Sequence, residues 1–191
     1  MNDTRIEPDE DEPIRSMPQE TVLELHHAFQ RLGLDVWLDG GWGVDALLGF
    51  QTRAHADLDI AIQQKDILHL RSYLEADGFH DVERDDTCPW NFVLGDAAGH
   101  DIDVHVIVFD AGGNGIYGPP ERGEMYPAAS LSGTGEVGGH PVRCISAEYM
   151  VQFHTGYALR SHDFADVAAL CERFNVAYPA EYGGPPTALT P

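Results

Sequence analysis

The sequence predicts an α/β chain, α+β in its layering: a mixed β-sheet with flanking helices and a small helical part at the C-terminal end. Three observations carry this. Two short apolar runs, 35–39 and 57–62, are separated by a compact helical segment, which is a strand–helix–strand order. Two further strand patterns, 90–94 and 101–109, are joined by the short glycine-bearing stretch 95–99, the signature of a hairpin. Helical periodicity then takes over near 147–158 and 162–173. The 191 residues, 43% of them hydrophobic, are enough for one domain with a sizeable core.

Taken in chain order, residues 1–16 hold six acids, two arginines and two prolines and read as a disordered acidic tail. A helix is expected from Pro18, with Ser16 in reach as a cap and Gly33 as the stop; Val22, Leu25, His26, Phe29 and Leu32 form its apolar stripe. His26 and His27 are neighbours on a helix and point apart, so they read as packing and surface rather than a metal pair. The run 35–39 is a buried strand broken by Gly40 and Gly41, followed by a helix from Trp42 to Leu48 that Gly49 closes. Residues 57–62 form the second strand. A helix over 65–77 turns Ile67, Leu68, Leu70 and Leu74 to the core, and 79–83 is a short strand. The Gly/Pro-rich stretch 111–133 reads as loop, and Gly138-Gly139 as the turn of a small hairpin. Domain organisation is therefore a main domain over 17–145, a helical part over 146–178 and a flexible Pro/Gly-rich tail over 179–191.

Acids outnumber Lys plus Arg by 32 to 11, for a net charge of −21. Such a chain repels a phosphate backbone, which argues against general nucleic-acid binding, though a bound cation can invert the field at one site. The N-terminus lacks a signal-peptide pattern and no apolar run approaches a membrane span. Three scattered cysteines make no disulfide framework. A cytoplasmic protein with no membrane partner is expected. A monomer and a homodimer are both compatible with the sequence.

The chemistry is concentrated in three places. Gly40 and Gly41 follow a strand and open a helix, a turn that lets backbone N–H groups approach a phosphate; alone it is equally a tight turn without a ligand. Asp57 and Asp59, two apart on a strand, project from one face, where like charges repel unless a cation sits between them. Asp101, Asp103 and His105 share one face of a later strand. If that strand lies beside the first, a third carboxylate joins the pair. Three carboxylates facing a Gly-Gly turn suit two Mg²⁺ ions and a nucleoside triphosphate, the arrangement of in-line nucleotidyl transfer. Arg53 is in range of phosphate oxygens and His55 in range of an acid it would orient; both are alternatively loop anchors. Asp101 reads as solvated, and His105 as a structural hydrogen-bonding group beside the site.

The pattern Gly-Gly, then Asp-x-Asp, then a later strand Asp resembles the DNA polymerase β-type nucleotidyltransferase fold. The fuller text is more specific. "DGGWGVDALLG", "QTRAHADLDI", "WNFVLGD", "IDVHV", "VRCIS" and "FHTGY" resemble the lincosamide nucleotidyltransferases and, more distantly, the aminoglycoside 2″-nucleotidyltransferases, in the same order from about residue 20 to about 178. Trp42 stands where the wider superfamily has a serine, as in the antibiotic-modifying branch. The resemblance implies transfer of AMP from ATP, with Mg²⁺, to a drug hydroxyl. It implies that Asp57 and Asp59 bind metal, that Asp103 is a metal ligand, the general base, or both, and that Gly40, Gly41 and Trp42 lie against the triphosphate. Trp90, Tyr117, His154 and Tyr157 are candidates for the acceptor pocket. Competing acceptors are an aminoglycoside, for which Asp85, Asp86 and Glu124 would supply carboxylates, and a protein or tRNA modified by a toxin–antitoxin enzyme. Intact Asp57, Asp59 and Asp103 speak against a relic that only binds nucleotide.

Overall fold

The structure, a computed structural model, describes residues 15–184. The elements run α1 (Gln19–Leu32), β1 (Val36–Leu38), α2 (Gly40–Leu48), β2 (Asp57–Gln63), α3 (Ile67–Ala76), β3 (His80–Val82), β4 (Asn91–Gly95), β5 (Asp101–Phe109), β6 (Gly115–Tyr117), β7 (Met125–Tyr126), β8 (Gly133–Val137), β9 (His140–Cys144), α4 (Ala147–Phe153) and α5 (Ser161–Phe174). Among the described residues the strands form one mixed sheet in the order β3-β4-β5-β2-β1-β9-β8, with β6 on β5 and β7 on β6. β2 and β5 are parallel; β1 and β2, and β4 and β5, are antiparallel.

Alternation along β2 and β5 explains the layering. Leu58, Ile60 and Ile62, with Ile102, Val104 and Val106, bury one face of the sheet with Val22, Leu25 and Phe29 of α1 and Leu70 and Leu74 of α3. Full burial of such a side chain stabilises the fold by about 1.5–3 kcal/mol. The opposite face is divided. Ala61 and Ile107 pack with Met150 of α4 and with Val167 and Leu170 of α5. The earlier positions on that same face are Asp57, Asp59, Asp101, Asp103 and His105, which helices cannot cover with hydrocarbon.

Several expectations are corrected. Arg15 and Ser16 belong to the folded body: Arg15 pairs with Asp101, and Ser16 N–H donates to Gly99 O at 3.1 Å. Ser16 does not cap α1; Pro18 occupies the cap position, without a side-chain bond, and Gly33 closes the helix at φ 69°. The rest of the N-terminal tail, 1–14, lies outside the described residues, as does 185–191. Residues 179–184 are anchored: Tyr182 is buried and donates to His154 O at 2.5 Å. Leu68 is 78% exposed, because two residues of α-helix place it roughly opposite the buried Leu70 on α3. The stretch 111–133 contains β6 and β7 rather than loop alone, and α4 ends at Phe153. No helix among the described residues is long and apolar enough to cross a membrane.

Candidate active site

β2 and β5 pair in a register that sets Asp57 beside Asp101 and Asp59 beside Asp103. The four carboxylates therefore crowd one end of the sheet. Asp59, Asp103 and His105 can each offer one ligand atom within 4.8 Å of the others. The crowding is visible in the acids. Burial, then the charge of Asp57, raises the Asp59 carboxyl to about 7. Burial also raises Asp103, against the pull of His105 and Arg84. Arg84 bridges Asp101 and Asp103 at 3.4 Å each. Asp101, expected to be solvated, is buried and held by Arg15 and Arg84.

His105 is bound into a second chain of contacts. Its Nδ1 lies 2.8 Å from the Tyr126 hydroxyl, which donates to Asp39 Oδ2 at 2.9 Å, so Nδ1–H is the donor to Tyr126. Burial opposes charge on His105, but Asp39, then Asp59 and Asp103, outweigh it and raise the imidazole to about 9. In return, His105 outweighs burial at Asp39 and holds that carboxyl below its usual range. With Nδ1 engaged by Tyr126, His105 turns Nε2 to Asp103 Oδ1 at 3.5 Å. The carboxylate oxygens beside it are hard donors of the kind that suits Mg²⁺. Asp103 Oδ1 is buried without a hydrogen-bond partner, an acceptor that fits such an ion.

Asp39 also caps α2, accepting from Gly40 N–H at 2.9 Å. The helix begins at Gly40, two residues before the expected Trp42. Glycine is required twice here. Gly40 has φ 51°, and a Cβ there would overlap the Asp59 carboxylate. At Gly41 a Cβ would overlap the His55 ring and stand 2.9 Å from Arg53 Nη2. The helix start is thereby held against Asp59.

Trp42 points away from this start. Its indole is 1% exposed in the core and donates to Met17 O at 3.2 Å, so only its backbone can face a phosphate. His55 is buried behind Gly41, 2.5 Å from Asp45 Oδ2, which makes it a support for the turn rather than a group open to a ligand. Arg53 is anchored to Asp166 of α5 at 2.9 Å.

A cleft of about 970 Å³ opens over Gly40, Asp59 and His105. Tyr117, His154 and Tyr157 line it; Trp90 does not. The Trp90 ring instead fills the space beside Gly118, whose Cβ would come within 2.9 Å of its Nε1. Tyr117 donates to Asn91 Oδ1 at 2.8 Å, and His154 Nδ1 is bound to Met150 O at 2.7 Å. Asp39, which opens the "DGGWGVDALLG" motif but was given no role, also lines the cleft, as do Tyr126 and Arg160, which carried no motif signal. Glu124 lines it too, whereas Asp85 and Asp86 do not, and Asp86 accepts from Asn91 at 3.1 Å.

Comparison with known proteins agrees with this geometry. A family model described as aminoglycoside-2″-adenylyltransferase matches residues 21–170. A lincosamide resistance protein from Staphylococcus haemolyticus is 30% identical over 149 residues, 78% of this chain and 89% of the relative. Among solved structures, the lincomycin-bound lincosamide antibiotic adenylyltransferase LnuA superposes with a TM-score of 0.72 at 28% identity, covering 81% of this chain and 97% of its own. ANT(2″)-Ia, in complex with adenylyl-2″-tobramycin, shares the fold with a TM-score of 0.66 at 21% identity, over 85% of this chain and 90% of its own. The carboxylates in register on β2 and β5, the glycine start of α2 and these matches lead to one assignment: the chain belongs to the aminoglycoside-2″-adenylyltransferase family of nucleotidyltransferases.

Proposed function

We propose that this protein transfers AMP from ATP to a hydroxyl of a lincosamide, with Mg²⁺ and release of pyrophosphate, in the cytoplasm where ATP is supplied. The observation that carries the reading is the register of Asp59 with Asp103, with Asp59 lining an open cleft against the first turn of α2. Asp57, Asp59 and Asp103 hold the metal, in keeping with two ions. When bound, Mg²⁺ neutralises phosphate charge and acidifies a nearby hydroxyl. Gly40, Gly41 and the backbone N–H of Trp42 face the triphosphate; Arg53 contacts phosphate, and His55 keeps Gly41 in place.

The acceptor hydroxyl oxygen bonds to the α-phosphorus as the bond from that phosphorus to the bridging oxygen breaks, and pyrophosphate leaves. The hydroxyl proton passes to Asp103, the carboxylate in register with Asp59. Tyr117, His154 and Tyr157 contact the acceptor body, and Trp90 supports that wall from behind Gly118.

The lincosamide reading rests on the two lincosamide-directed relatives and on the cleft wall. Beyond the acids at its floor, Glu124 is the carboxylate on that wall, and Tyr117, Met125, Phe153 and Tyr157 are apolar or aromatic. One carboxylate suits a monocation with an apolar body better than a polycation. The second reading, an aminoglycoside, is favoured by the net charge of −21, which would steer a polycation. Mass spectrometry of lincomycin and tobramycin, each incubated with enzyme, ATP and Mg²⁺, separates the two. Added AMP is expected on lincomycin; an adduct on tobramycin alone overturns the lincosamide reading.

A further inference from the structure

We propose that His27 and His140 form a metal site of their own, separate from the carboxylates, which takes a borderline transition ion of the Zn²⁺ class and clips α1 to the β8–β9 hairpin.

His26 and His27 adjoin in sequence, and helix geometry turns them apart. The fold gives His27 a different partner. Gln19, Leu23 and His27 recur every four residues and so share one side of α1. That side meets the turn of the hairpin: a Cβ on Gly138 would stand 3.0 Å from Leu23 Cδ1 and 3.2 Å from Gln19 Nε2. One turn further along α1, His27 Nε2 lies 3.4 Å from Nδ1 of His140, 113 residues away in the chain. The two rings stand nearly perpendicular, with centroids 4.9 Å apart. His26 is engaged elsewhere, on the backbone of Pro141; burial, then the charge of His27, lowers its proton affinity.

A nitrogen–nitrogen distance of 3.4 Å lies beyond the usual hydrogen-bond range. It matches the separation of two donors on one tetrahedral ion. Metal–nitrogen bonds of about 2.0–2.1 Å at the tetrahedral angle set their nitrogens roughly 3.3–3.4 Å apart. Neutral imidazole offers a lone pair at one ring nitrogen, and either tautomer is open to each ring here. Among the described residues no third His, Cys, Asp or Glu atom joins this pair within 4.8 Å, so water completes the coordination. Both rings are open to solvent, and an ion enters without opening the fold. Donor type sorts the ions between the two places. Imidazole suits Zn²⁺, Cu²⁺ and Ni²⁺, whereas Mg²⁺ prefers the carboxylate oxygens of β2 and β5. The clip has something to hold: β8 is the edge strand of the sheet, and β9 is its neighbour. An ion shared by α1 and the start of β9 ties that edge to the helix, and its binding energy adds to the stability of the fold.

Calorimetry of the full chain with Zn²⁺, in excess Mg²⁺ that keeps the carboxylates occupied, tests this. His27→Gln and His140→Gln should each weaken Zn²⁺ at least tenfold, since loss of even an outer-shell partner costs about 10–100-fold. His26→Gln should stay within about twofold of wild type. Asp59→Asn should bind Zn²⁺ as wild type does, because it alters only the other site. Zn²⁺ at ten times its Kd should raise the wild-type melting temperature by about 3–6 °C and leave the His27→Gln/His140→Gln double variant where it was. Equal Zn²⁺ affinity in wild type and the double variant overturns the site, as does a wild type that binds no Zn²⁺. A loss in His26→Gln as large as that in His27→Gln overturns the pairing across elements. Zn²⁺ binding that Asp59→Asn loses and His27→Gln keeps assigns the ion to the carboxylates and overturns the clip. A protein that transfers no AMP but binds Zn²⁺ through His27 and His140 keeps the clip and removes only the nucleotidyl-transfer reading.

Discussion

One face of β2 and β5 does two opposite jobs within a few residues. At Asp57, Asp59, Asp101 and Asp103 it gathers charge that repels itself. At Ala61 and Ile107 it buries hydrocarbon under α4 and α5. The reverse face is apolar along its whole length. The rigid half thus carries the strained half: the acids hold their register because the same strands are clamped further along and from behind. Function and stability should therefore separate between the two halves, and four substitutions or conditions probe that separation.

The largest effect should come from the charged half. Asp59→Asn keeps size and deletes one carboxylate of the metal set. Pyrophosphate release should fall at least a thousandfold, about 4 kcal/mol of barrier, while thermal unfolding is unchanged or shifts upward because repulsion is relieved. A rate within tenfold of wild type would sink the metal-site reading. In the apolar half, Ile107→Ala should do the reverse. A fully buried side chain is lost beneath Gly115 and the helices, at a cost of about 3 kcal/mol. The melting temperature should drop by roughly 6–12 °C. Turnover at low temperature should fall far less than in Asp59→Asn, since Ile107 lends the site no polar group, although it pairs with Tyr117 of the cleft wall. Lost activity without lost stability would show that the halves are not separable.

Gly41→Ala tests the seam between the halves. The added methyl enters the His55 ring, which is itself fixed to Asp45. Overpacking of this kind costs about 2 kcal/mol, so calorimetry should find weakened ATP binding together with a lower melting temperature. A bulkier Gly41→Val should be worse on both counts. Weak binding with unchanged stability would mean that the glycine serves the ligand alone.

Local periodicity made the charged half readable. Alternation identified Asp57 and Asp59, and Asp101 and Asp103, as one-face residues of their strands; that β2 and β5 are neighbours stood only as a condition until the pairing was seen. What escaped depends on contacts distant in sequence. Asp101 reads as solvated until Arg15, 86 residues away, and Arg84 are seen to hold it. The Asp39–Tyr126–His105 chain joins the cap of α2, β7 and β5, and β7 is a two-residue strand inside a Gly/Pro-rich stretch whose composition says loop. Trp42 adjoins the glycines in sequence, but its helix phase sends the indole to the core. Trp90 failed as a cleft residue for a related reason: its side chain fills space against a glycine that only the β5–β6 connection brings near.

The smallest effect is a dependence on pH in the metal-free protein. Asp59 in the folded state is raised from 3.8 to about 7, so the fold binds its proton more tightly than the unfolded chain does. Its contribution to stability is fully present below about pH 4 and is lost as pH rises through about 7. His105, raised from 6.5 to about 9, loses its contribution in the next window, between about 6.5 and 9. Self-repulsion of a −21 chain pushes the same way, so wild type alone does not isolate the site. The difference between wild type and Asp59→Asn does, because the general charge term is nearly common to both. Their melting temperatures should lie close at pH 4.5 and part by about 3 °C, in favour of the variant, at pH 8. Added Mg²⁺ should raise wild type at pH 8 and close the gap, since a cation between the carboxylates removes the repulsion that opened it. A gap that is constant with pH, or that Mg²⁺ leaves untouched, would mean the four acids do not strain the sheet that carries them.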